Sequence, residues 1–105
     1  MHRKNRRDTG CGLGTQRGVD LNRNYGYGWG ANDTGSSPDP CSAIYRGESA
    51  FSEPEIEIVK DFILNRNFKN VLHYHSFGNV YIHPFGDGSY PNYGDLMIYR
   101  GLAQE

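Results

Sequence analysis

The sequence predicts an α/β layer architecture, on three observations. A long glycine-rich stretch opens the chain, a capped amphipathic helix follows it, and two β-rich runs then precede a second helical segment. Helix, strand, strand, helix is the order from which layered α/β folds are built. Two helices and two strands fall short of a complete layered domain, so the 105 residues read as part of a larger core. A chain of this length can bury roughly two thirds of its surface. Here the apolar fraction is 36%, eight of those residues are tyrosines, and 14 glycines and five prolines favour irregular backbone.

Residues 1 to about 50 carry little periodicity. Tyr25-Gly26-Tyr27-Gly28-Trp29-Gly30 alternates aromatic with glycine, and Gly35-Ser36-Ser37-Pro38-Asp39-Pro40 reads as loop. Loops this long in compact domains tend to be functional. Gly12-Leu13-Gly14 lacks the third glycine of a dinucleotide fingerprint and is set aside.

The first helix is expected from Ser52 to about Asn65. Ser52 is placed to cap it, Glu55 completes a capping box, and Phe51 and Ile56 stand at staple positions. Pro54 suits a first turn, where its missing N–H costs nothing. Glu53, Glu55 and Glu57 favour the positive end of the helix dipole. Ile56, Val59, Phe62 and Ile63 recur at helical spacing. Val71–His75 and Val80–Ile82 read as strands. Asp95–Glu105 reads as a helix with Leu96, Tyr99 and Ala103 on one side.

A net charge of -1 and the absence of an apolar run long enough for a bilayer argue against nucleic-acid and membrane partners. The basic start, Arg3-Lys4-Asn5-Arg6-Arg7, is joined by no further basic cluster and reads as a solvated or substrate-facing loop. Cys11 and Cys41 permit one disulfide, worth about 3.5 kcal/mol on the chain-entropy account. Two separate thiols in a reducing compartment fit the count equally well. Asn32-Asp33-Thr34 is a glycosylation sequon and leans towards an exported protein.

Three groups of residues could carry chemistry. In Asp20-Leu21-Asn22-Arg23-Asn24, an arginine fork flanked by amides suits a carboxylate, although internal pairing with an acid is the blander alternative. His73 and His75, two apart on an expected strand, would share a face and could reach one metal, although either alone is more often structural. The cations of residues 3–7 could stabilise a developing oxyanion.

In order and spacing, these blocks resemble the M14 zinc carboxypeptidases. The resemblance rests on Arg3-Lys4-x-Arg6, Gly18-Val19-Asp20-Leu21-Asn22-Arg23-Asn24-Tyr25 and Ser37-Pro38-Asp39-Pro40-Cys41-Ser42. It continues through Tyr45-Arg46-Gly47, Ala50-Phe51-Ser52-Glu53-Pro54-Glu55 and His75-Ser76-Phe77, over most of positions 3 to 86. It implies a partial three-layer α/β/α sandwich with a mixed sheet, residues 1–105 being a piece of the catalytic domain. It implies that Arg3 stabilises the oxyanion, that Asn22 and Arg23 grip the substrate's terminal carboxylate, and that His75 is one ligand of a catalytic Zn2+. His73 has no family role. Cys41 matches a cysteine bridged in many members, while Cys11 is offset from the usual partner position.

In such enzymes zinc lowers the pKa of a bound water and a glutamate moves its proton. The substrates implied are peptides or proteins with a free C-terminal carboxylate, met outside the cell. The chain also departs from the family. The His-x-x-Glu zinc motif, the general-base glutamate and the substrate-binding tyrosine are expected outside these residues, and Phe77 replaces a common tyrosine. One histidine cannot hold catalytic zinc, so the 105 residues alone are expected to be inactive. The alternative is a non-catalytic remnant that binds peptide carboxylates.

Overall fold

The computed structural model describes residues 3–12, 14–76, 78–86 and 89–104; Phe77, the two residues ahead of the basic arm and Glu105 at the end of the second expected helix lie outside the described residues. The chain divides into two compact units, Met1–Asn70 and Val71–Glu105.

The first unit is organised by polar groups more than by apolar ones. Its buried apolar residues are Cys11, Val19, Tyr45 and Ile56, while Lys4, Asp20, Asn24, Arg46 and Glu53 are buried beside them. Buried polar groups are mostly hydrogen-bonded in folded proteins, and each of these five side chains makes at least one hydrogen bond, although Asp20 Oδ2 makes none. Asn24 is fully buried: its Nδ2 donates to the carbonyls of Arg46 (2.8 Å) and Ser49 (3.0 Å) and to Ser52 Oγ (2.9 Å). Its Oδ1 accepts from the Glu53 N–H at 3.1 Å. Lys4 Nζ directs its donors at three carbonyls, Gln16 (2.6 Å), Pro40 (3.1 Å) and Ser42 (2.8 Å), which ties the start of the chain to two distant loops.

Short extended segments lie side by side without becoming strands. Asn5 N–H donates to Val19 O and Asp20 N–H to Tyr45 O, both at 2.8 Å, and Ser37 forms an isolated parallel bridge with Tyr45. Two glycines make this packing possible. Gly18 has φ +94°, and a Cβ there would collide with the Asn5 backbone carbonyl; Gly47 has φ +88° and lies against Ser52 Oγ and Asn24 Nδ2. Cys11 and Cys41 form a disulfide with Cα atoms 5.1 Å apart.

The helix α1 runs Pro54–Leu64 with Glu53 at the cap position, so the expected capping box does not form. Ser52 is occupied elsewhere: its hydroxyl accepts from Asn24 and donates to Glu53 Oε1 at 2.8 Å. The shift also moves the staple positions off Phe51, whose ring meets Tyr25 edge-on at 6.5 Å. Ile56 is the buried residue of the helix, while Phe62 is half exposed. The C-terminus is closed by Asn65, whose Nδ2 donates to Asp61 O, and by Arg66, which donates to Phe62 O and lies over its ring.

In the second unit, α2 runs Tyr93–Leu102. It starts two residues earlier than expected because Asn92 caps it, accepting from Asp95 N–H at 3.0 Å and donating to Asp95 Oδ2 at 2.7 Å. His83 stacks on Tyr99 with ring centroids 5.6 Å apart.

The expected α/β/α sandwich with a mixed sheet is not formed: among the described residues there are two α-helices and no strand or sheet. Val71–His75 and Val80–Ile82 are not strands, and Val71, Leu72, Val80 and Ile82 are exposed. The reason is physical. A strand satisfies its N–H and C=O groups only against a neighbouring ladder, and β-propensity supplies no such neighbour.

Candidate functional site

The geometry centres on the first residue of the Asp20–Asn24 motif, to which the sequence assigned no role beyond that of an acid with which the arginine could pair internally. Asp20 is 2% exposed and sits at the N-terminal cap of a short 3-10 turn, Leu21–Arg23. Its Oδ1 accepts from Asn22 N–H at 3.2 Å, and its carbonyl accepts from Arg23 N–H at 2.8 Å. The turn leaves Asn22 exposed and Arg23 half-buried, while Asn24, the next residue, is locked into the buried network. Local geometry therefore fixes the pair, since one residue anchors what its neighbours present.

Both expected arginines converge on the same carboxylate. Arg3 Nη2 lies 2.9 Å from Asp20 Oδ2, and Arg23 Nε lies 4.0 Å from the same oxygen. The Arg3 contact is close without hydrogen-bond alignment, so Asp20 Oδ2 is held by charge and keeps lone pairs unfilled. Arg23 Nε is likewise buried without a hydrogen-bond acceptor, while its Nη1 makes one long bond to Asn22 O at 3.4 Å. Two guanidinium groups against one carboxylate leave one positive charge, beside the exposed amide of Asn22. That arrangement can receive one anionic group. Asp20 was legible in principle as a capping aspartate two residues before Asn22.

A second charged cluster belongs to the scaffold. Glu53, 1% exposed, accepts from Asn5 Nδ2 (2.6 Å), Arg7 Nη1 (2.7 Å) and Ser52 Oγ (2.8 Å). Burial pushes its carboxyl up, but the bonds from Asn5, Arg7 and Ser52 together outweigh this and hold it below the usual range. Arg7 is raised in turn, chiefly by its bond to Glu53. Burial lowers the Lys4 ammonium despite nearby Asp20 and Asp39. An open cleft of about 380 Å³ is lined by Asn5, Arg6, Arg7, Glu53, Pro54 and Glu55. The Glu53 carboxylate that it borders is already committed to Asn5, Arg7 and Ser52, so its role is structural.

His75 and His73 lie in the second unit and are exposed. Among the described residues no three His, Cys, Asp or Glu side chains form a group able to hold a metal ion. A catalytic zinc takes three protein ligands. The described residues therefore do not by themselves constitute a zinc site.

Two arginines from separate segments, Arg3 and Arg23, meet on one buried aspartate in an arrangement able to receive an anion, and comparison with known proteins gives the family of the chain that carries them. The sequence profile described as Zinc carboxypeptidase matches residues 1–104, and the chain belongs to that family, the M14 peptidases. It is 42% identical over 88 residues to carboxypeptidase B of Astacus astacus, covering 82% of this chain and 28% of that protein. It is 47% identical over 77 residues to carboxypeptidase B of Helicoverpa zea, covering 70% of this chain and 17% of that one. Against carboxypeptidase A1 of Bos taurus the figures are 41% over 70 residues, with 66% and 16% covered. The chain thus spans less than a third of the length of these relatives. Among the described residues no helix is long and apolar enough to cross a membrane.

Proposed function

We propose that these residues form part of the catalytic domain of an exported zinc carboxypeptidase that hydrolyses the last peptide bond of peptides or proteins. The observation that carries this reading is the convergence of Arg3 and Arg23 on Asp20 Oδ2. One carboxylate shared by two arginines leaves a net positive charge where a substrate carboxylate can complete the balance.

In this reading Arg23, with the Asn22 amide, binds the free C-terminal carboxylate and sets the register of the substrate. Arg3 acts elsewhere on the same molecule. Its exposed guanidinium stabilises the negative charge that develops on the scissile carbonyl oxygen, a contact stronger in the transition state than in the ground state. His75 is proposed as one ligand of the family's zinc, the other ligands coming from outside these 105 residues.

The lack of a three-ligand group among the described residues also favours a second reading for the 105-residue chain taken alone: it binds peptide carboxylates without cleaving them. The test is to purify the protein from its source and assay release of C-terminal residues from peptides with free or amidated ends. Release from free ends only, lost on chelation, supports the enzyme. Binding of free-ended peptides with no release supports the second reading, and indifference to the terminal carboxylate overturns both.

A further inference from the structure

The sequon Asn32-Asp33-Thr34 is used by neither the anion-receiving loop nor the buried network. Its surroundings separate backbone from side chain. Arg46, itself buried and stacked over the Trp29 ring at 5.4 Å, holds the loop from the inside. Its Nη1 donates to Asp33 Oδ1 at 2.8 Å, to Ser36 Oγ at 3.2 Å and to the Asn32 carbonyl at 3.5 Å. These bonds tether the Asn32 main chain and the Asp33 carboxylate to Arg46, while the Asp33 side chain itself stays exposed. Asn32 and Thr34 remain exposed. The Asn32 side-chain oxygen accepts from Thr34 N–H at 2.9 Å, which turns asparagine and threonine towards each other, and no hydrogen bond uses Asn32 Nδ2 among the described residues. Gly35 follows at φ +77°, with open space where its side chain would stand.

A second, independent observation concerns the compartment. The Cys11–Cys41 disulfide is formed, and such bridges persist in oxidising compartments, where asparagine-linked sugars are also attached. The sequence alone left two free thiols open, so the bridge is information the motif did not contain.

We propose that Asn32 is a site of N-linked glycosylation, the donor being a lipid-diphosphate-linked oligosaccharide. In the transfer, a bond forms between Asn32 Nδ2 and the anomeric carbon of the sugar. The bond from that carbon to the phosphate oxygen breaks, the lipid diphosphate leaves with the electron pair, and one Nδ2 proton passes to a base of the transferase. The folded unit accommodates the product because Asn32 is exposed and its Nδ2 makes no hydrogen bond among the described residues. Among the described residues Asn32 shares no hydrogen bond or ion pair with Arg3, Asp20, Asn22 or Arg23, so the modification is independent of the roles proposed for them.

The experiment is peptide mapping of the protein from its source, with and without the glycosidase that converts a sugar-bearing asparagine to aspartate in heavy-oxygen water. The expected result is a labelled aspartate at position 32. In the full-length gene product expressed in cells of the source, the sugar should disappear with Asn32→Gln and with Thr34→Ala and survive Thr34→Ser. Peptide hydrolysis should be unchanged in all three. An unmodified Asn32 overturns the proposal whether the cysteines are found bridged, so that the donor was met and refused, or reduced, so that it was never met. A sugar that persists in Thr34→Ala overturns it as well.

Discussion

Arg3 Nη2 stands 2.9 Å from Asp20 Oδ2, and this contact decides where the arginine can act. The aspartate is buried and the arginine is about half exposed, so the pair fixes one end of a guanidinium whose other face meets solvent. Asp20→Asn should keep the turn, because an amide oxygen can still accept from Asn22 N–H, while the charge that holds Arg3 is lost. The stability cost should be about 1–2 kcal/mol, since Arg3 can turn to water. In the full-length enzyme kcat should fall with KM unchanged or lower, because the Arg23 side of the site gains net positive charge. A raised KM at constant kcat would assign Asp20 to substrate binding instead.

Arg3 and Arg23 should separate kinetically. Arg23→Ala should weaken binding of peptides by about 2–5 kcal/mol, read mainly in KM and absent for amidated ends. Arg3→Ala should lower kcat more than it raises KM, because its contact strengthens only as charge develops. Unchanged kinetics in Arg23→Ala on free-ended peptides would remove that residue from the site.

Glu53 gives the first unit an acid limb. Its folded pKa lies below the ordinary glutamate value of about 4.3, so its contribution is fully present above that value. It is lost as pH falls through the depressed folded value. Denaturant melts taken down the acid side should show stability falling in that window. Glu53→Gln should flatten the fall and cost about 1–3 kcal/mol near neutrality, because Arg7 and Asn5 lose a charged acceptor. A steep acid limb that survives Glu53→Gln would assign it to other carboxylates.

How far the sequence was legible follows from where each signal resides. The body of α1 was readable because Pro54, the acidic first turn and the spacing of Ile56, Val59 and Ile63 are local properties. Its cap was misread because Ser52 is claimed by Asn24, a residue 28 positions away. The strands failed for the opposite reason: Val71–His75 has the composition of a strand, but its ladder partner is not a local property. Motif order singled out Arg3, Asn22 and Arg23 as candidates. Asp20, which joins them, carries no conspicuous pattern beyond a cap and emerges only when residues 3 and 23 are seen to meet on it.

The disulfide and Lys4 tie the same loops. Lys4 Nζ bonds the carbonyls of Pro40 and Ser42, on either side of Cys41, and that of Gln16 beyond Cys11. Removing the bridge with Cys11→Ser and Cys41→Ser should cost about 3.5 kcal/mol on the chain-entropy account. Lys4→Met should leave three carbonyls short of a donor and add its own loss. A cycle of the three variants, read by denaturant melts, should be non-additive, since both devices order one segment. Strict additivity would mean that each holds a different part of the unit.

His75 is the residue whose assignment depends most on what surrounds these 105 residues. It is exposed, and among the described residues no carboxylate, thiol or further imidazole completes a metal-holding group with it. If it is one of three zinc ligands in the full-length protein, His75→Ala should remove stoichiometric zinc, measured by elemental analysis after dialysis. His73→Ala should then leave the metal in place. A reversal of these two results would move the ligand to His73. Zinc retained in both single variants and in the double variant would mean that this segment supplies no ligand at all, and the exposed histidines would need another account.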